Sequence, residues 1–195
     1  MNFEHRKVRF LDTIKEIIRF INKNSEIINF EKINNLIDLI IKTYGNNKIV
    51  FLYGAGRSGF ISRCFAQRLM HLGIKTCYVS DAITYKYSAE DLLILISGSG
   101  ETITPLAIAN EARKIGGKIV LVTSNPYSNI ARISDLIIQI EGKTKDRALI
   151  EETLAPYTSL FDISTLVVLD AIGGVLMKIL GVSEADIDKR HASIE

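Results

Sequence analysis

Apolar residues follow two different spacings along the chain. Between residues 3 and 22 they recur at intervals of three and four, which predicts an amphipathic helix, and a second helical pattern covers residues 30–44. From Lys48 onward they gather into five short runs, which lie at residues 49–53, 76–79, 92–96, 119–122 and 136–140. Short continuous apolar runs of this kind indicate strands that are buried on both faces.

Helical segments separate most of these predicted strands. The segments cover about residues 58–72 and 102–116, and each ends near a glycine, at Gly73 and at Gly116, as helix C-termini commonly do. Alternation of buried strands and helices is typical of a parallel sheet covered on both sides. We therefore predict an α/β fold, a three-layer sandwich in which helices flank a five-stranded parallel sheet of the flavodoxin or Rossmann-like type.

The two ends of the chain are predicted to be helical. N-terminal helices occupy residues 1–45, and a helical tail at 157–195 begins with a long apolar helix after the polar loop 141–156. A length of 195 residues suits one domain, so residues 1–195 are expected to share a single core. The apolar helices carry more hydrophobic surface than a monomer of this size would hide, and we expect a homo-oligomer, either a dimer or a tetramer.

Charge and composition narrow the classes of partner. The formal net charge is +2, and lysine and arginine are scattered among acidic residues, so no nucleic-acid partner is expected. The N-terminus is charged from its fourth residue and lacks the apolar core of a secretory signal. Asp162, Asp170 and Lys178 interrupt the longest apolar stretch. We therefore expect a cytoplasmic protein without a membrane partner.

The first of two glycine-rich loops, "GAGRSG" at residues 54–59, follows the first predicted strand and begins a helix. It matches the G-x-G-x-x-G pattern of dinucleotide sites, in which Asp81 would serve as the acid that binds the ribose. Glycines in such a turn let backbone N–H groups approach a phosphate at a helix N-terminus, but the same turn also forms without a ligand. Gly56, Arg57 and Ser58 are the candidate ligand contacts of this loop.

The second loop, "SGSGET" at residues 97–102, carries three hydroxyls, whereas one would suffice to cap the helix that follows. Hydroxyls, free N–H groups and the positive end of a helix dipole can bind a dianion without a formal cation. Ligands of open α/β sheets bind outside the carboxyl ends of the strands, where both loops should lie. The candidate binding residues of this loop are Ser97, Gly98, Ser99, Gly100 and Thr102.

The pair of loops resembles that of the sugar isomerase (SIS) family, whose members bind phosphosugars. The resemblance implies that Ser97, Ser99 and Thr102 hold the phosphate and that Ser58 lines the sugar site. The "EET" at residues 151–153 and the "RHASIE" at the C-terminus are similar to members that isomerise a phosphorylated hexulose. The resemblance therefore implies an isomerase with a phosphorylated hexulose as substrate. No cluster of histidine, cysteine and acidic residues has metal-ligand spacing, and we predict no metal and no cofactor.

Isomerisation between a 3-ketose and a 2-ketose moves a proton between C2 and C3 through an enediolate. The resemblance points to Glu152 as the base at carbon, with Glu151 as its adjacent alternative. His191 is a candidate for proton transfer at the sugar oxygens, in its own site or in that of a neighbouring subunit, because histidine exchanges protons near neutral pH. Three alternatives remain at this stage: another phosphosugar isomerase such as one for arabinose 5-phosphate, a non-catalytic phosphosugar sensor, and a dinucleotide oxidoreductase.

Overall fold

A parallel five-stranded sheet forms the centre of the molecule. The computed structural model describes residues 1–143, 150 and 152–193. The strands are β1 (Val50–Gly54), β2 (Thr76–Tyr78), β3 (Leu92–Ile96), β4 (Lys118–Thr123) and β5 (Leu136–Gln139). The helices are α1 (Phe3–Ile27), α2 (Phe30–Gly45), α3 (Arg57–His71), α4 (Ile103–Ile115), α5 (Asn129–Arg132), α6 (Ser159–Leu180) and α7 (Glu184–Arg190).

The strand order β2-β1-β3-β4-β5 creates a switch point between β1 and β3. From β1 the chain moves outward to β2, whereas β3 leads in the opposite direction to β4 and β5. Loops that leave the two strands at such a point diverge to opposite faces of the sheet and open a crevice. The register pairs Gly54 with Ile96, so β1 and β3 end at the same level and the two glycine-rich loops begin side by side. The predicted α/β fold is confirmed.

The sheet is buried on both faces, which explains the continuous apolar runs in the sequence. Leu92, Ile94 and Ile96 of β3 pack in a core that includes α2, α3 and α6. Leu93 and Leu95 pack on the opposite face, in a core that includes α4 and α5. Since successive side chains of a strand point to opposite faces, a strand covered on both sides needs an apolar residue at every position.

Helix α6 is a core helix that also has the composition of a membrane span. Its most apolar 18-residue window has a mean hydropathy of 2.0, which by length and composition alone would suffice to cross a membrane. In the fold, Phe161, Leu169 and Leu176 are buried in the core shared with α3 and the sheet. Its N-terminal end, which carries the buried Asp162, reaches the carboxyl edge of the sheet next to the first glycine-rich loop.

Two helices differ from the predicted pattern for physical reasons. Helix α5 is four residues long, too short to show a helical period, and it was not predicted. Helix α1 extends to Ile27, beyond the predicted end at residue 22, and Asn24 in this extension bonds through its side chain to the carbonyls of Phe20 and Glu141. Both differences arise where side-chain hydrogen bonds, rather than hydrophobic spacing, define the local structure.

Helix α1 leaves most of its apolar face uncovered. It packs beside α6, yet Phe10 is 66% exposed and Ile18 is 50% exposed. Exposed apolar residues on α6, including Val167 and Val175, continue this surface. A surface of this kind agrees with the expected homo-oligomer, which stays a prediction.

Asn24 joins the C-terminal end of α1 to the segment that leaves β5. Its side chain is 2% exposed, and its amide nitrogen donates to the carbonyl of Phe20 at 3.0 Å and to that of Glu141 at 2.8 Å. Its amide oxygen accepts from the Glu141 backbone N–H at 2.7 Å. One side chain thus satisfies both backbone groups of Glu141, two residues before Lys143.

Replacing Asn24 by alanine should destabilise the fold. The change leaves the Glu141 N–H and C=O without this partner, at about 1–3 kcal/mol for each buried group left unsatisfied. Urea unfolding followed by circular dichroism measures the loss. Asn34→Ala is the matched control, because Asn34 bonds to Asp38 on the exposed face of α2 and its loss should change the free energy of unfolding by less than about 0.5 kcal/mol. Equal small effects of the two variants would contradict the bridging role.

Candidate active site

A cavity of about 310 Å³ opens at the carboxyl ends of β1 and β3. Both glycine-rich loops line it, and its third wall comes from the segment after β5 and from the start of α6. The lining residues are Ala55, Gly56, Arg57, Ser58, Ile96, Ser97, Gly98, Ser99, Thr102, Lys143, Tyr157, Thr158, Phe161 and Asp162. The candidate binding residues of the two loops therefore meet in one space, except for Gly100, which lies behind it.

The first loop is a tight strand-to-helix turn with its own structural demands. A Cβ atom on Gly54 would lie 2.5 Å from the carbonyl oxygen of Ser58, and one on Gly59 would lie 2.7 Å from that of Gly54. These two glycines let the strand and α3 approach, so the first and last glycines of the G-x-G-x-x-G pattern have a structural role that needs no nucleotide. Asp81, the acid that a dinucleotide would need, pairs instead with Arg63 at 2.7 Å.

Two tyrosines, Tyr53 of β1 and Tyr78 of β2, lie next to this turn. The hydroxyl of Tyr78 donates to the Gly54 carbonyl at 2.7 Å, and the Tyr53 and Tyr78 ring centroids lie 5.5 Å apart. Burial, and to a lesser extent the neighbouring Tyr78, raise the pKa of Tyr53 above its ordinary value. Tyr53 is therefore a neutral phenol at physiological pH and adds no negative charge beneath the loop.

The three hydroxyls of the second loop have different surroundings. Ser97 is buried, and its Oγ accepts from the Gly100 N–H at 3.2 Å, while the Oγ of Ser99 accepts from the Glu101 N–H at 3.2 Å. Thr102 occupies the N-cap position of α4, yet its side chain makes no capping hydrogen bond. Thr102 lines the cavity at the N-terminus of a 13-residue helix, which favours an anion there.

The back of the second loop is fixed to α5. Glu101 accepts from the backbone N–H of Asn129 at 2.9 Å and from its side-chain amide at 2.6 Å. Gly100 has a φ of +65°, and a Cβ atom there would lie 1.9 Å from the Oγ of Ser128. The loop is therefore held in one conformation by contacts on the side away from the cavity.

Asp162 is a buried carboxylate in the cavity wall that sequence reasoning missed. It is 3% exposed, and one carboxylate oxygen accepts from Arg57 Nε at 2.8 Å and from the Thr158 hydroxyl at 2.7 Å. The other oxygen lies 3.4 Å from the Ser58 hydroxyl. Asp162 thus ties the first loop to α6. In the sequence it is one of three charged residues that interrupt a long apolar stretch, and nothing there separates it from Asp170 or Lys178.

Three further lining residues were also missed. Tyr157 and Thr158 precede α6, and Tyr157 adopts a left-handed backbone conformation with φ of 47°, the kind of strain that clusters at functional sites. Lys143 follows β5 and is buried, with its ammonium donating to the Thr153 hydroxyl at 3.0 Å. No local pattern marks these positions, because the fold brings Lys143 to the cavity from the edge strand β5 and the two other residues from the start of α6.

Glu152 lies beside the cavity rather than in its wall. Its side chain is exposed, and the adjacent Thr153 contacts the cavity residue Lys143. Helix α1 holds the following residues, because Glu16 accepts from the Ala155 N–H at 2.7 Å and Arg9 donates to the Leu154 carbonyl at 3.2 Å. Glu151, the adjacent alternative, lies outside the described residues.

His191 is remote from the cavity of its own chain. Its ring stacks on His71 with centroids 5.0 Å apart, and the preceding Arg190 donates to the His71 carbonyl at 2.8 Å. His71 ends α3, whereas Arg57 at the cavity begins it, and the 15 residues of this helix span roughly 21 Å at 1.5 Å per residue. The fold therefore brings Glu152 near the cavity but leaves His191 at the opposite end of α3.

Comparisons with known proteins agree with this geometry. The SIS domain model matches residues 44–169. A 3-hexulose-6-phosphate isomerase of Methanocaldococcus jannaschii is 39% identical over 191 residues, 96% of this chain and 98% of that protein. A crystal structure of a hypothetical protein of Methanococcus jannaschii, for which a molecular function of 3-hexulose-6-phosphate isomerase was inferred, has a TM-score of 0.78 and 37% identity, covering 95% of this chain and 98% of that one.

A more distant relative carries a different activity in its name. It is a probable arabinose 5-phosphate isomerase of Haemophilus influenzae, 29% identical over 163 residues. The match covers 81% of this chain but only 46% of that longer protein.

Replacing Gly100 by alanine should damage the second loop. The new Cβ would meet the Ser128 side chain and would also strain a backbone with positive φ, so both α5 and the loop must shift. We expect affinity for inorganic phosphate, measured by isothermal titration calorimetry, to fall at least about tenfold. Gly45→Ala is the control, because a Cβ atom at this end of α2 would meet none of the described atoms within 4 Å. Wild-type phosphate affinity in Gly100→Ala would show that the loop conformation is not what binds the anion.

Proposed function

Because this chain belongs to the SIS domain family, we propose that it is a 6-phospho-3-hexuloisomerase, which interconverts D-arabino-hex-3-ulose 6-phosphate and D-fructose 6-phosphate. The observation that carries the proposal is the alignment of β1 and β3, which sets two glycine-rich loops around one cavity with three hydroxyls at the N-terminus of α4. Similarity over nearly the whole chain to a 3-hexulose-6-phosphate isomerase supports the choice of substrate.

In the proposed complex the phosphate occupies the second loop. Ser97, Ser99 and Thr102 contribute hydroxyls, and the glycines between them let the chain come close to the phosphate oxygens. The sugar then extends across the switch point toward Ser58 and Arg57 of the first loop. This orientation leaves C2 and C3 of the sugar near the third wall, which contains Asp162 and lies next to Glu152.

Proton transfer between C2 and C3 needs a carboxylate, and the site offers two. Glu152 is exposed beside the cavity, so its carboxylate is free to turn toward a substrate, which suits a base. Asp162 is in the wall, but its oxygens already accept from Arg57 and Thr158. We therefore assign Glu152 as the base at carbon and Asp162 as the residue that positions Arg57.

His191 is proposed to transfer protons at the sugar oxygens in the cavity of a neighbouring subunit. This assignment is supported by its exposure and by the distance from its own cavity along α3. It requires a homo-oligomer, dimeric or tetrameric, for which the uncovered apolar faces of α1 and α6 offer a surface. We also propose that the protein is cytoplasmic and needs no cofactor.

A panel of phosphosugars with product identification tests the function. The purified protein should convert hexulose 6-phosphate to fructose 6-phosphate and should leave arabinose 5-phosphate unchanged. Conversion of arabinose 5-phosphate instead would favour the activity named for the Haemophilus influenzae relative. Tight binding of phosphosugars without any turnover would favour a sensing module, and stabilisation by NAD(H) in thermal melting would favour an oxidoreductase.

Glu152→Gln should abolish most of the turnover while substrate still binds. General acid–base groups contribute about 10²- to 10⁴-fold, so kcat should fall by at least about 100-fold with little change in KM. Exchange of the C2 and C3 hydrogens with deuterated water, followed by NMR, reports on the same step. Asp162→Asn should instead raise KM, because Arg57 loses its partner. Glu31→Gln is the matched control, because Glu31 is an exposed glutamate in the first turn of α2. Unchanged kcat in Glu152→Gln would remove Glu152 from the mechanism.

His191→Gln should lower kcat if the histidine acts in a neighbouring cavity. The test mixes His191→Gln with Glu152→Gln subunits after mild unfolding and reassembly. Because each variant then supplies the group that the other lacks, some mixed oligomers should regain activity above that of either parent. His5→Gln, which alters an exposed histidine on α1, is the control and should keep full activity. Full activity of His191→Gln alone would make the tail histidine dispensable.

A further inference from the structure

Lys143 is a cation in the cavity wall that the proposed chemistry does not use. It follows β5 at the edge of the sheet and lines the same cavity as Ser97, Ser99 and Thr102. Its side chain is only 7% exposed, which is rare for lysine unless a charge or strong hydrogen bonds accompany it. Neither loop pattern pointed to it.

The partner of Lys143 is neutral. Its ammonium donates to the Thr153 hydroxyl at 3.0 Å, and that hydroxyl in turn donates to the Ala155 carbonyl at 2.8 Å. Across residues 1–143, 150 and 152–193, no carboxylate lies within ion-pair distance of Lys143. The buried positive charge is therefore left uncompensated within this part of the chain.

The described residues of the cavity wall carry one more positive than negative side chain. Among the described lining residues, the cations are Arg57 and Lys143 and the anion is Asp162, and Arg57 and Asp162 pair at 2.8 Å. After this pairing the ammonium of Lys143 remains, and Lys143 lines the same cavity as Thr102 at the N-terminus of α4. The sequence had predicted a dianion pocket without a formal cation, and Lys143 supplies one.

The backbone around Lys143 is held against α6. A Cβ atom on the preceding Gly142 would lie 2.5 Å from the backbone of Phe161, and one on Gly98 would lie 3.1 Å from the Phe161 ring. Phe161 therefore fills the space between the segment after β5 and the second loop. This packing positions the lysine stem relative to the phosphate loop before any ligand arrives.

We propose that Lys143 binds the substrate phosphate, as the cation that neutralises the dianion held by the second loop. This inference rests on the proposed function, since it names a further substrate-binding residue of the same cavity. A phosphate ester carries close to two negative charges at neutral pH, more than the partial charge of a helix N-terminus compensates. An ammonium in a wall with little access to water strengthens the attraction.

The test compares Lys143→Met with Lys143→Arg and with Lys75→Met. Lys75 is exposed at the start of β2, on the amino-terminal edge of the sheet, and its methionine variant removes the same charge far from the cavity. Calorimetric titration with inorganic phosphate and with fructose 6-phosphate should give dissociation constants about 10- to 100-fold higher for Lys143→Met, the scale of a hydrogen bond to a charged group. KM should rise by a similar factor while kcat changes little. Lys143→Arg should recover part of the affinity, and Lys75→Met should match the wild type.

Unfolding without ligand separates binding from a structural role. Because none of the described carboxylates pairs with Lys143, Lys143→Met should be at least as stable as the wild type in urea. Wild-type phosphate affinity in Lys143→Met, or lower stability with unchanged affinity, would overturn the proposal. The titration with phosphate does not depend on turnover. An inactive wild type, together with weaker phosphate binding in Lys143→Met, would contradict the isomerase function alone. An active wild type, together with unchanged phosphate binding in Lys143→Met, would contradict the role of Lys143 alone.

Discussion

The pairing of β1 with β3 is the constraint on which the site depends. With Gly54 opposite Ile96, both strands end at one level, and the chain leaves them toward opposite faces of the sheet. The crevice that opens there receives two helix N-termini, those of α3 and α4. A shift of one residue in this register would turn every side chain of β3 to the opposite face of the sheet and would separate the loops.

A third wall completes the cavity between the two loops. Helix α6 brings Phe161 against Gly98 and Asp162 against Arg57, so one turn of helix contacts both loops. The segment after β5 adds Lys143 from the far edge of the sheet, and Asn24 on α1 holds the residue two positions before it. The two loops are thereby linked to α1, which also holds the residues after Glu152 through Arg9 and Glu16.

The sequence patterns predicted what depends on short-range chemistry. Buried strands appeared as apolar runs because both faces are covered, and "SGSGET" indicated an anion site because its hydroxyls exceed the needs of a helix cap. Asp162 and Lys143 could not be predicted in the same way, since their meaning comes from residues about a hundred and about forty-five positions away along the chain. The position of His191 against His71 likewise follows from the docking of α7 on α3, which no local spacing reveals.

The central claim is that a phosphosugar binds with its phosphate at the second loop and its sugar across the switch point. A crystal structure of the wild-type protein with fructose 6-phosphate tests this most directly. The account predicts phosphate density within hydrogen-bond distance of the Ser97, Ser99 and Thr102 hydroxyls and of the Lys143 ammonium, with the sugar carbons directed toward Arg57 and Glu152. Phosphate density at the N-terminus of α3 with the second loop empty would contradict it.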